Sequence, residues 1–242
     1  MTRLALLDLT FGSAAENLAC DEVLLDRCEL GEIGPVLRFW SPAQYFIVLG
    51  YANKAASEVN LEACAACKVP IFRRCSGGGT VLQGPGCLNY SLALRFDNSP
   101  ELASITQANA TIMARNREAM TKVAGLGTSI NGCTDLTIGP QKFSGNSQRR
   151  KRRALLFHGT FLLNFDLALV EELLKPPSKE PAYRAQRRHR EFLTNLNVPM
   201  TQVKDALTQE WNAVDVFGSQ LDEAVRKLAE TKYSRDEWNR KW

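Results

Sequence analysis

Three short stretches carry residues able to act on an acyl or phosphoryl group. In Arg73-Arg-Cys-Ser-Gly-Gly-Gly-Thr-Val81, three successive glycines expose backbone N–H groups with no side chain in the way. Two arginines just before them supply fixed positive charge suited to a carboxylate or a phosphate. No Gly-Lys-Ser/Thr follows, so the stretch is not a Walker-type nucleotide loop. In Asp135-Leu-Thr-Ile-Gly-Pro-Gln-Lys-Phe-Ser-Gly145, Lys142 opens a strand and the small pair Ser144-Gly145 leaves room beside it. A lysine so placed neutralises a carboxylate approaching a nucleotide phosphate, then stabilises oxygen charge when an acyl adenylate is opened. The third stretch, His158-Gly159-Thr160, interrupts an otherwise apolar strand. Each has an ordinary structural reading too. A glycine triplet makes a turn, a lysine stands in solvent, and a strand histidine satisfies a hydrogen bond.

These stretches need elements to hold them. Residues 70–74 and 80–83 read as strands on either side of the glycine loop, with a turn at 84–86. Residues 88–95 form a longer strand in which Leu88, Tyr90, Leu92 and Leu94 share one face and Asn89, Ser91 and Ala93 the other. That polar face suits a pocket wall or a half-exposed strand. Further strands are expected at 4–9, 36–40, 45–49, 135–138, 142–148 and 155–165, the last two joined by a basic hairpin tip at 149–153. Helices are expected at 14–30, with Ser13 as N-cap and Gly31 just past the end. Others are expected at 106–123, 167–174, 201–217 and 219–231, and residues 176–195 are Pro-rich and basic. Strands first mixed with helices and then followed by them imply an α/β (α+β) fold, a mixed β-sheet backed by helices.

The 242 residues suit one large domain, or one domain with a small appendage. A hydrophobic share of 45% and a charged share of 23% are ordinary for a globular chain. No apolar run approaches the ~20 residues of a membrane span, and the N-terminus lacks a secretion cleavage pattern. Seven cysteines, an odd count without an export signal, read as reduced thiols of a cytoplasmic protein. Cys64-Ala-Ala-Cys67 has no second ligand pair and reads as helical spacing, not as a metal or redox pair. The net charge of +4 gathers at 149–153 and 184–190, which points to anionic partners at particular places and away from a nucleic-acid coat.

In order and spacing the motifs resemble lipoate–protein ligase A and its relatives in the biotin/lipoate A/B protein ligase superfamily. The resemblance rests on the Arg73–Val81 stretch, Leu88-Asn-Tyr-Ser91, Asp135-Leu136, Lys142-Phe-Ser-Gly145 and His158-Gly-Thr160. Supporting matches are Leu37-Arg-Phe-Trp40, Val48-Leu-Gly-Tyr51, Glu58-Val-Asn60 and Thr194-Asn-Leu196. It implies a class II biotin/lipoate ligase-like catalytic core over residues 1–196. Residues 197–242 are then a short helical C-terminal extension, with no full accessory domain.

By that resemblance Lys142 is the catalytic lysine. Arg73, Ser76, Gly77, Gly78, Gly79 and Thr80 would hold lipoate and its adenylate, Asn89 would touch the phosphate, and Asp135 would contact the nucleotide or its Mg²⁺. Ser144, Gly145, His158, Gly159 and Thr160 would border the acyl tunnel and nucleotide site. The implied reaction activates lipoate (or octanoate) with ATP and Mg²⁺ to lipoyl-AMP. The acyl group then passes to a lysine of a lipoyl-acceptor domain, such as a 2-oxoacid dehydrogenase E2 or glycine cleavage H protein. A separate accessory ligase subunit is a further expected partner; nucleic acid and membrane are not. The basic tip at 149–153 is then a docking patch for an acidic acceptor domain, or a solvated turn.

The same superfamily contains octanoyl and lipoyl transferases, which keep the lysine but use a cysteine and take acyl groups without ATP. Cys133 lies in the loop before Lys142, where one such class carries its cysteine, and a neighbouring ammonium favours the thiolate. The glycine stretch is nearer the ligase form, so ligase is the first expectation and transferase the second.

Overall fold

The alternation read at 88–95 is realised in a strand, Cys87–Arg95, near the middle of an eight-stranded mixed sheet. The computed structural model describes residues 3–97, 99–125, 127–218 and 220–241. In chain order the elements begin with β1 (Leu4–Asp8), α1 (Ala14–Leu30), β2 (Val36–Trp40), β3 (Phe46–Leu49), α2 (Ala55–Glu58), α3 (Leu61–Ala66), β4 (Ile71–Arg73), β5 (Val81–Gln83), β6 (Cys87–Arg95) and α4 (Ile105–Ala124). They continue with β7 (Thr128–Asn131), β8 (Asp135–Ile138), β9 (Gln141–Arg150), β10 (Ala154–Leu162), α5 (Leu167–Leu173), α6 (His189–Phe192), α7 (Met200–Glu210), β11 (Ala213–Val216), α8 (Asp222–Leu228) and α9 (Asp236–Asn239). The large sheet has the order β11-β1-β2-β6-β10-β9-β8-β7, and a small second sheet the order β4-β3-β5.

The two faces of the large sheet are covered differently. Leu88, Tyr90, Leu92 and Leu94 of β6 pack with Ile112 and Met113 of α4 and with Val203 and Leu207 of α7. The opposite face, with Ala93 and Leu156, packs under α1, whose Ala19, Val23 and Leu24 are buried. α1 is held at its start by a capping box between Ser13 and Glu16 and ended by Gly31 in the left-handed region. Ile47, Leu49 and Leu82 of the small sheet form a third cluster with Val170 and Leu173 of α5.

The C-terminal third departs from expectation. The helix expected at 201–217 stops at Glu210, because Asn212 adopts a left-handed conformation (φ 50°) and turns the chain back. The residues that follow form β11, parallel to β1, so the segment after Leu196 is not purely helical. The helix expected at 219–231 is α8 followed by a wider π turn over Ala229–Tyr233, and Ser219 itself lies outside the described residues. β7 was not foreseen; it extends the sheet by pairing with β8. The 176–195 stretch folds as a strap containing a short 3₁₀ turn, Ala182–Arg184, and α6.

Candidate active site

Residues directly opposite on paired strands present their side chains to the same face. Across five strands this rule aligns Trp40, Asn89, Thr160, Gly145 and Asp135 in one row. Arg38, Ser91, His158 and Ser147 form the next row on that face. The first row, with His158 and Ser147 of the second, floors a cavity of about 380 Å³ between the large sheet, the glycine loop, the small sheet and the strap, while Arg38 and Ser91 lie buried beneath α1 against Asp21. Val48, Leu82, Leu162, Phe165, Val170 and Leu174 give it an apolar end.

Lys142 reaches this cavity through a bulge. Phe143 is the extra residue between the pairs Thr137–Lys142 and Leu136–Ser144, and bulges re-aim neighbouring side chains. The Lys142 ammonium lies 2.8 Å from Asp135 Oδ1. It also occupies the space over Gly145, where an added Cβ would meet Nζ at 2.6 Å. The small residue therefore leaves room for the lysine. Tyr183, from the strap, donates its hydroxyl to Asp135 Oδ2 at 2.7 Å. Burial, then the adjoining carboxylate, raises the Tyr183 pKa and keeps the phenol a donor. The strap also grips the lysine's backbone, since Thr194 N–H donates to the Lys142 carbonyl at 2.9 Å.

The glycine loop is built by Arg74. Its guanidinium donates to Ser76 Oγ and to the carbonyls of Gly77, Gly79 and Val48. Burial lowers its pKa to about 10, which leaves it a cation at neutral pH. With those carbonyls engaged, the N–H groups of Gly77, Gly78 and Gly79 donate to no acceptor among the described residues. Such a run of free N–H groups beside a cation is an anion cradle. Gly78 has φ 83°, and Gly50 packs so closely that a Cβ there would lie 2.1 Å from the Gly78 carbonyl oxygen.

Arg73 corrects the sequence expectation. It is fully buried and does not line the cavity. Its guanidinium donates to the carbonyls of Gly50, Tyr51, Asn53, Trp238 and Asn239. It ties the loop after β3 to α9 and, away from the cavity, does not present its charge to a ligand there. Ser76 is also fully buried and away from the cavity. Gly78, Gly79, Thr80, Asn89, Asp135, Lys142, Ser144, Gly145, His158, Gly159 and Thr160 do line it, as does Cys133. Gly77 serves through its carbonyl, shared by Arg74 and Ser147.

His158 is held from both sides. Nδ1 lies 3.0 Å from Asp21 Oδ2 and Nε2 2.6 Å from Ser76 Oγ. Burial alone would raise the Asp21 pKa, but Arg38, with His158 and Ser91, outweighs it and holds the carboxyl below its usual range. The ionised Asp21 accepts from His158 Nδ1–H, and Nε2 shares a hydrogen bond with the Ser76 hydroxyl. The connectivity is that of a nucleophile–base–acid array, but the Ser76 oxygen has no exposed surface and accepts from Arg74. The array anchors the glycine loop. Asn89, Gln83 and Thr160 close a second ring of side-chain hydrogen bonds nearby.

Sequence reading missed Asp21, Tyr183 and Gln83. Asp21 had a signal: with Asn17 it places two polar residues, one turn apart, on the buried face of α1. Tyr183 had none. Both Asp135 oxygens are engaged, and no group of three or more His, Cys, Asp or Glu side chains among the described residues is arranged to hold a metal. The expected Mg²⁺ contact at Asp135 would use the lone pairs its oxygens keep beside Lys142 and Tyr183. The basic hairpin tip is partly self-neutralised, since Lys151 pairs with Asp26 and Arg153 with Asp97.

The model of the lipoyl protein ligase A/B catalytic domain matches residues 13–212. Lipoate-protein ligase A subunit 1 of Thermoplasma acidophilum is 26% identical, over 98% of this chain and 95% of that one. Octanoyltransferase LipM of Brevibacillus brevis is 28% identical, over 94% and 95%. A structure of lipoate-protein ligase A bound with ATP superposes with a TM-score of 0.80 at 25% identity, covering 99% of both chains.

Proposed function

Because the chain belongs to the lipoyl protein ligase A/B catalytic domain family, we propose that it is a lipoate–protein ligase. It would activate lipoate or octanoate with ATP and pass the acyl group to a lysine of a lipoyl-acceptor domain. The observation that carries this reading is the placement of Lys142. Its ammonium, paired with Asp135, enters the cavity that also holds the free N–H groups of the glycine loop and an apolar end.

The apolar end accommodates the acyl chain and leaves its carboxylate among Lys142, Arg74 and the glycine-loop amides. One carboxylate oxygen attacks the α-phosphorus of ATP and pyrophosphate leaves. Lys142 offsets the charge gathered on the phosphate oxygens. The acceptor amine then attacks the acyl carbonyl, AMP leaves with the bonding pair, and the amine sheds a proton. Mg²⁺ enters only as counter-ion of the triphosphate, and no step is assigned to a metal held by side chains. Residues 1–196 serve as the catalytic core and 197–242 as its C-terminal extension, with a separate accessory subunit as the proposed partner for adenylation. The acceptor is a lipoyl domain of the E2 or H-protein kind.

A second reading rests on a separate observation. Cys133 is exposed and lines the same cavity, and relatives of similar coverage include an octanoyltransferase. In that chemistry the Cys133 sulfur attacks a thioester and takes its octanoyl group, the donor thiol leaves, and Lys142 assists the onward transfer to the acceptor amine. Lipoate-dependent ATP–pyrophosphate exchange separates the two. The ligase reading expects exchange in the wild type and in Cys133→Ala but not in Lys142→Ala. Acylation of Cys133 by an octanoyl thioester, with no exchange, would establish the transferase.

A further inference from the structure

A chain of hydrogen bonds, none of it foreseen from the motifs, runs from the helical layer to the loop that carries Cys133 and Asp135. Trp211 Nε1–H donates to Asn116 Oδ1 at 2.9 Å. Asn116 Nδ2 donates to Tyr90 Oη at 2.5 Å, and that hydroxyl donates to Asn146 Oδ1 at 2.7 Å. Asn146 Nδ2 donates to the Thr134 carbonyl at 2.7 Å, and Thr134 Oγ1 donates back to the Asn146 carbonyl at 2.8 Å. An indole nitrogen and an amide nitrogen can only donate. The indole at one end therefore fixes the direction of the chain, and the Asn146 amide also reaches Ser144 Oγ at 3.5 Å. Tyr90 and Asn116 are fully buried, whereas Asn146 and Thr134 are half-buried at the cavity.

The sheet is built to let this chain pass. Tyr90, Gly159 and Asn146 lie opposite one another on β6, β10 and β9, on the face away from the Asn89–Thr160 row. β6 and β9 are two strand spacings apart, roughly 10 Å. Tyr90 meets Asn146 only because the residue between them has no side chain. A Cβ on Gly159 would lie 1.8 Å from Asn146 Oδ1. The glycine of His158-Gly-Thr160 is thus required because a side chain there would project toward Asn146, away from the Asn89–Thr160 row.

We propose that Tyr90 is a positioning residue, which through Asn146 and Thr134 fixes the loop at 132–135 and so the Asp135–Lys142 pair. Thr134 stands between the two chemical side chains of that loop, and its reciprocal bonds with Asn146 staple the loop to β9. This inference rests on the reading of Lys142 as the catalytic lysine.

The test uses the full chain and two variants that cut the chain at different depths. Tyr90→Phe keeps the ring against Phe161, whose centroid is 5.3 Å away, and removes one oxygen. Thr134→Val cuts the returning bond at the cavity and leaves the core alone. In pyrophosphate exchange both variants should lose at least tenfold in kcat, with KM for lipoate within about twofold, because the apolar end is untouched. Deuterium exchange of amides 130–137 should quicken at least tenfold, with α1 and α4 unchanged. Unchanged kcat and wild-type protection of 130–137 would overturn the proposal, as would a rise in exchange spread evenly over the chain. A wild type inactive in pyrophosphate exchange would sink the ligase reading alone, and the protection of residues 130–137 would still decide the positioning role.

Discussion

Replacing Arg73 with methionine keeps much of the side chain's volume and removes its five guanidinium hydrogen bonds. The acceptors are carbonyls at 2.7 to 3.1 Å, from the loop after β3 and from α9. Hydrogen bonds to a charged group contribute about 1.5–3 kcal/mol each, so the gross loss is at least ~7 kcal/mol. Removing a buried cation also recovers several kcal/mol of desolvation. The carbonyls of Gly50, Tyr51 and Asn53 regain partial solvation once α9 loosens. A net destabilisation of about 3–4 kcal/mol remains, which for a chain of this size lowers Tm by roughly 6–16 °C. Arg73→Lys should recover only part of this, because one ammonium cannot reach two segments at once. The assay is thermal unfolding by circular dichroism alongside steady-state kinetics. A methionine variant within about 2 °C of wild type, with KM for lipoate raised tenfold, would refute the reasoning. It would show Arg73 touching ligand instead of bracing the walls.

Three further outcomes are expected. Native protein treated with iodoacetamide at pH 8 should be labelled at Cys67 and Cys133, the two exposed thiols. Burial pushes Cys20, Cys75 and Cys87 up to about 12 and Cys28 to about 11, and peptide mapping reads the difference. Asp21, held below its ordinary 3.8, contributes stability that is full above that value and lost as pH falls through the lower folded value. Urea unfolding from pH 7 to 3 should show a steep acid loss in wild type that is shallower in Asp21→Asn, which is already weaker at pH 7. Gly159→Ala, with its Cβ driven into Asn146, should unfold at least ~2 kcal/mol more easily by urea titration and lose exchange activity.

The sheet and its cavity face were legible where one strand carried its own pattern. On β6, four alternating apolar residues identify the buried face, and Asn89 and Ser91 fall on the cavity side as a consequence. The glycine loop, Lys142 and Gly145 were legible because small residues beside a charge imply a close approach, which the structure shows at Gly145. What failed depended on distant partners. Arg73 and Arg74 are alike in sequence, and only the tail 165 residues away, with the loop after β3, assigns one to scaffolding. β7 and β11 are short strands with little pattern of their own, ordered by the neighbours they pair with. Tyr183 reads as one aromatic in a basic strap until the fold brings it to Asp135.

The central claim is that the acyl group travels through this cavity as an adenylate, with Lys142 stabilising the phosphate charge. The most direct test is a single-turnover experiment read by intact-protein mass spectrometry, with enzyme, an acceptor lipoyl domain, lipoate, ATP and Mg²⁺. The account predicts an acceptor that gains one lipoyl group only when ATP is present, an enzyme of unchanged mass, and no modification with Lys142→Ala. An enzyme acylated at Cys133 from a thioester donor, passing its acyl group to the acceptor without ATP, would contradict it.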